Sequence, residues 1–110
     1  MTRESSRIPV ACSLSGPELR DREATLLAEF KSAVISIQEL PDGYVFRVPG
    51  DKRWIAVVAE LIAAERECCP FLAFTIVVPS NMGPVDVRVT GLVGVKDFLR
   101  TVLVESGRAF

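Results

Sequence analysis

The stretch Ala33–Pro70, AVISIQELPDGYVFRVPGDKRWIAVVAELIAAERECCP, decides the fold. It opens with a run rich in β-branched residues, Ala33 to Leu40, turns at Pro41-Asp42-Gly43, and alternates from Tyr44 to Val48. Proline fixes φ and glycine accepts positive φ, so the two runs are predicted to pair as a β-hairpin. Pro49-Gly50 ends the hairpin, and Asp51 stands where a helix N-cap belongs. From Lys52 to Cys69 the pattern becomes helical, until Pro70 stops it. At about 100° per residue, Trp54, Ile55, Val57, Val58, Leu61, Ile62, Cys68 and Cys69 share one broad arc. Arg53, Glu60, Ala63 and Glu67 lie opposite. Glu65 departs from this division: it falls in the middle of the apolar arc, close to Trp54, Val58, Ile62 and Cys69.

Upstream, Ser15-Gly16-Pro17-Glu18 has the spacing of a capping box, and Leu19, Leu26, Leu27 and Phe30 follow at helical intervals. A first helix is predicted from Pro17 to Ser32, with its acids and bases forming a solvated face. Downstream, Phe71 to Val78 is almost continuously apolar and predicts a strand buried on both faces or central in its sheet. Ser80 to Pro84 is a loop, and Val85, Val87 and Val89 alternate with Asp86, Arg88 and Thr90, a strand with one wet face. Val95, Phe98, Leu99, Val102 and Leu103 mark a last helix ending near Glu105. The predicted fold class is α+β, one domain in the order α-β-β-α-β-β-α. Its four-stranded, mainly antiparallel sheet carries helices packed against it. Residues 1–11 form an N-terminal arm and 12–110 the domain.

Composition bounds the function. The chain has 110 residues, 49% hydrophobic and 25% charged, with a formal net charge of −1. That describes one soluble domain, large enough for a core and neither disordered nor fibrous. No apolar run reaches the ~18 residues of a membrane span. Thr2 to Arg7 is polar and no apolar leader core follows, so no export signal is expected. Scattered Lys and Arg at near-zero net charge argue against a nucleic-acid surface. There is no histidine. Ser-His-Asp and Cys-His catalysis, histidine zinc sites and facial-triad iron are excluded with it.

The cysteines are Cys12, Cys68 and Cys69. An odd count without an export signal predicts free thiols in a reducing compartment, the cytoplasm. Glu65 and Cys69, four apart, share a helix face, and thiolates favour soft ions. Cys68, Cys69, Glu65 and, if the arm folds back, Cys12 make a four-ligand set for a soft metal or metalloid ion. Disulfide exchange fits less well. Activated thiols sit at helix N-termini in Cys-x-x-Cys spacing, whereas this adjacent pair sits at a helix C-terminus. The plain alternative is that both cysteines only pack, as buried cysteine often does, in a structural or protein-interaction module or a small-ligand-binding dimer. Glu65 has a plain alternative too, an ion pair with Arg47 or Arg88. No catalytic residue is marked. A central helix this apolar either lies within the core or forms a homodimer interface.

The segment ERECCPFLAF, residues 65–74 with the preceding helix, resembles a group of small bacterial proteins of uncharacterised function that share a Glu-Arg-x-Cys-Cys-Pro-Phe core. Ala11-Cys12-Ser13-Leu14, Leu40-Pro41-Asp42-Gly43-Tyr44 and Gly94-Val95-Lys96-Asp97-Phe98-Leu99 extend the resemblance over residues 10–103. It implies an association with heavy-metal resistance. It marks Cys12, Glu65, Cys68 and Cys69 as the matching polar positions and assigns no activity.

Overall fold

A computed structural model describes residues 17–101. The N-terminal arm, Cys12, the Ser15 cap and the end of the last helix lie outside the described residues. The elements are α1 (Pro17–Ala33), β1 (Ser36–Leu40), β2 (Gly43–Val48), α2 (Lys52–Cys68), β3 (Ala73–Val77), β4 (Val85–Thr90) and α3 (Val95–Leu99). The order is α-β-β-α-β-β-α, and the fold is α+β.

The sheet order is β1-β2-β4-β3, with every neighbouring pair antiparallel. Two hairpins, β1-β2 and β3-β4, are therefore joined through β2 and β4. The chain leaves β2, crosses through α2 and returns as β3, parallel to β2 with β4 between them. Side chains alternate faces along a strand. Tyr44, Phe46 and Val48 on β2 and Val85, Val87 and Val89 on β4 are buried with Leu26 and Phe30 of α1, Val58 and Leu61 of α2, and Val95 and Leu99 of α3. The Phe30 ring meets Phe46 edge-on at 5.7 Å. The other face carries Arg47, Asp86 and Arg88. Arg47 Nε donates to Asp86 Oδ1 at 2.9 Å across the β2-β4 pair.

Three expectations change. β3 is an edge strand with mostly exposed residues, neither central nor buried on both faces. The α2 crossover places it beyond β4, and β4 takes the central position with its valines buried. Asp51 is the N-cap residue of α2 by position, but its side chain makes no cap hydrogen bond. Gly43 is required for a different reason from the one read in the turn. Its φ is not positive. Instead β4 passes so close that a Cβ on Gly43 would lie 1.9 Å from the Val89 carbonyl oxygen.

That contact is with backbone, which cannot swing aside. Gly43→Ala is expected to destabilise the fold by about 2 kcal/mol or more through forced separation of β2 and β4. Val93→Ala, at a residue 99% exposed, is expected to stay within about 0.5 kcal/mol. Denaturant unfolding of both variants checks the pair, and equal stabilities would contradict the close approach.

Candidate functional site

The site is built at the end of α2. Glu65, Cys68 and Cys69 stand at i, i+3 and i+4, which share one helix face. Pro70 then ends the helix, because the residue before proline is disfavoured in helical geometry. Cys69 leaves the helix at φ −127° and ψ 74°, while its N–H still donates to the Glu65 carbonyl oxygen at 2.6 Å. Both cysteines are thereby turned inward, 1% and 3% exposed, beside Glu65 at 8%. One ligand atom from each of Glu65, Cys68 and Cys69 lies within 4.8 Å of the other two. The Cys69 thiol donates to Cys68 Sγ at 3.5 Å.

These groups open into a cavity of about 260 Å³ bounded by α1, α2, α3 and the β3-β4 hairpin. Leu27, Phe30, Ile62, Phe74 and Phe98 form much of its wall, and Phe98 is held edge-on against Phe71 at 5.1 Å. Among the described residues, no basic side chain lines it. Glu23 reaches it from α1.

Glu23 is a residue of the candidate site that the sequence does not single out, since its charge suits the solvated face of the first helix. A signal was present. Leu19, Glu23, Leu26, Leu27 and Phe30 follow at intervals of four, seven, eight and eleven, which is one helix face.

The electrostatics follow from burial without positive charge. Glu65 Oε2 is buried and has no hydrogen-bond partner among the described residues. Desolvation, reinforced by the Glu23 carboxyl, pushes the Glu65 carboxyl up to about 8, so it is mainly neutral at pH 7. Desolvation and the neighbouring Glu65 likewise push the Cys69 thiol up to about 12. A thiol held protonated is a poor nucleophile, which agrees with the argument against thiol catalysis.

The expected ion pair of Glu65 with Arg47 or Arg88 does not form. Arg47 is engaged with Asp86, and Arg88 alternates with the buried Val87 and Val89, so both belong to the opposite face of the sheet. The expectation that all the thiols are free is also corrected. Cys69 is a free thiol, but Cys68 is disulfide-bonded. An odd cysteine count leaves room for one bond as well as one thiol, and the strain of joining adjacent cysteines does not restrain a bond to a distant one. Cys12, the further sulfur of the expected ligand set, lies outside the described residues.

No protein-family model, curated protein or solved structure compared with the chain matches it.

The raised Glu65 carboxyl has a consequence for stability with a definite sign. The folded chain holds a proton at Glu65 that the unfolded chain releases above its ordinary value of 4.5. Stability therefore falls as pH rises from about 4.5 to about 8, by on the order of 3 kcal/mol from this group. Glu65→Gln keeps the neutral shape and removes the titration. Chemical denaturation at pH 5 and pH 8 is expected to show this loss in the wild type and a much smaller one in the variant. Parallel profiles would contradict the buried neutral carboxyl.

Proposed function

We infer that the reduced chain binds a soft metal or metalloid ion through Cys68 and Cys69, with Glu65 as the oxygen ligand. The observation that carries this reading is the unpartnered Glu65 Oε2, buried within reach of two sulfurs in a cavity whose described lining contains no cation. A buried carboxyl and thiol both held neutral are groups that a bound cation would ionise, since it supplies the missing positive charge. Sulfur donors favour soft ions over Mg²⁺ or Ca²⁺. Glu23 lines the same cavity and serves best as an outer carboxyl that orients the site.

Loading requires Cys68 to be reduced. A dithiol reductant supplies two electrons and two protons to its disulfide, releasing the thiol that then joins Cys69. This requirement is met in a reducing compartment such as the cytoplasm, which the reading takes as the site of the working form. It also accords with the link to heavy-metal resistance implied by the Glu-Arg-x-Cys-Cys-Pro-Phe resemblance. A second reading, a homodimer or partner-binding module, is favoured by one observation. Ile76 and Val77 at the end of the β3 edge and Val78 just beyond it are exposed and carry no charge to guard them against further strand pairing.

The test is titration of the reduced, tag-free chain with Zn²⁺, Cd²⁺ and arsenite, followed by melting temperature and bound stoichiometry. Binding to the folded state alone raises stability by RT ln(1 + [L]/Kd), about 2.7 kcal/mol at a hundredfold excess over Kd. A stabilising, one-to-one complex is expected for at least one of these ions. It should be lost in Cys69→Ser, weakened about tenfold or more in Glu65→Gln, and absent from the unreduced chain. An ion that binds all of these forms equally would place the site elsewhere. Failure of all three ions to bind would overturn the reading.

A further inference from the structure

The cavity is much larger than an ion requires. A site for one water needs only about 10–15 Å³, against about 260 Å³ here. The cavity opens in part to solvent, and water along its walls finds few polar partners. Away from Glu23, Glu65 and the two sulfurs, the described walls are hydrocarbon, with Leu27, Phe30, Ile62, Phe74 and Phe98 prominent. The volume calls for an apolar group, and that group must be continuous with whatever the sulfurs hold.

Sulfur spacing, taken with Cys68 disulfide-bonded, is too short for a linear centre and suits a narrow-angled one. The two Sγ atoms stand 3.5 Å apart. With bonds of about 2.3 Å, as for zinc–sulfur, a linear two-coordinate centre needs its sulfurs about 4.6 Å apart and a tetrahedral one about 3.8 Å. A pyramidal centre has a narrower angle and draws them closer. A trivalent centre with one carbon substituent and two thiolates is neutral and carries the apolar group that the cavity walls suit, whereas a bare divalent ion, also balanced by two thiolates, carries none.

We propose that the reduced Cys68-Cys69 pair takes a monosubstituted trivalent arsenical, R–As(OH)₂, with its aryl or bulky alkyl group R seated in the apolar cavity. This rests on the soft-ion reading of the same pair and specifies its ligand class. The step is a condensation. Two S–H bonds and two As–OH bonds break, two As–S bonds form, and two water molecules leave. Arsenic keeps its oxidation state. The electrons needed to open the Cys68 disulfide beforehand come from a dithiol reductant.

The test compares arsenicals that differ only in R. The reduced full chain is titrated with phenylarsine oxide, methylarsonous acid and arsenite, with adducts counted by native mass spectrometry and affinities taken by competition against dithiothreitol. The expected result is one adduct per chain and a preference for phenyl over methyl about tenfold greater than the dithiothreitol ratio, from the apolar area buried. Ile62→Trp, which fills the cavity, should erase that preference while methylarsonous acid still binds. Leu27→Trp does the same from α1 and stands in if circular dichroism shows the first variant unfolded. A phenyl-to-methyl ratio no greater than that of dithiothreitol overturns this inference and leaves the soft-ion site standing. A preference that survives both filled cavities overturns it as well. Failure of every arsenical to bind, together with Zn²⁺ and Cd²⁺, removes the site itself.

Discussion

Pro70 has no N–H to donate and crowds the residue before it out of helical geometry. Cys69 therefore swings off the end of α2 instead of continuing around it, and the chain heads directly toward β3. Cys69 still holds the face that positions i, i+3 and i+4 of a helix share, so it meets Glu65 and Cys68 at the cavity. The same turn directs the chain from α2 into β3, which lies outside β4.

The rest of the fold accommodates a deliberate weakness. Three ionisable side chains, Glu23, Glu65 and Cys69, meet in apolar surroundings without a described basic residue to balance them. Glu65 and Cys69 are kept neutral by burial, and for Glu65, whose ordinary value lies well below neutral pH, this costs stability there. A protein selected for stability alone gains more from a leucine at Glu65 than from a carboxyl with an orphaned oxygen. Such a violation of local rules, supported by an otherwise consistent core, is where function is expected.

Much of this was legible in the chain, and what was not has identifiable causes. The hairpin at Pro41-Asp42-Gly43 and the apolar arc from Trp54 to Cys69 follow from turn chemistry and periodicity, which are local. So does the anomaly of Glu65, since its place in the arc needs only counting. The edge position of β3 was misread because an apolar run says that a strand is hydrophobic but not which strands lie beside it. The sheet order is set by a crossover spanning α2. Glu23 was hidden by its charge, although its intervals from Leu26 and Phe30 put it on the inward face. The cavity has no sequence pattern, because it is a space left between side chains of five elements. The disulfide at Cys68 was missed because the odd count was read as an argument against any bond.

The central claim is that Cys68, Cys69 and Glu65 close on one ion. X-ray absorption at the cadmium edge of the reduced, Cd²⁺-loaded chain tests it most directly. The account predicts two sulfur neighbours with oxygen completing the shell, falling to one sulfur in Cys69→Ser. A shell of oxygen alone, or a sulfur count unchanged by that substitution, would contradict it.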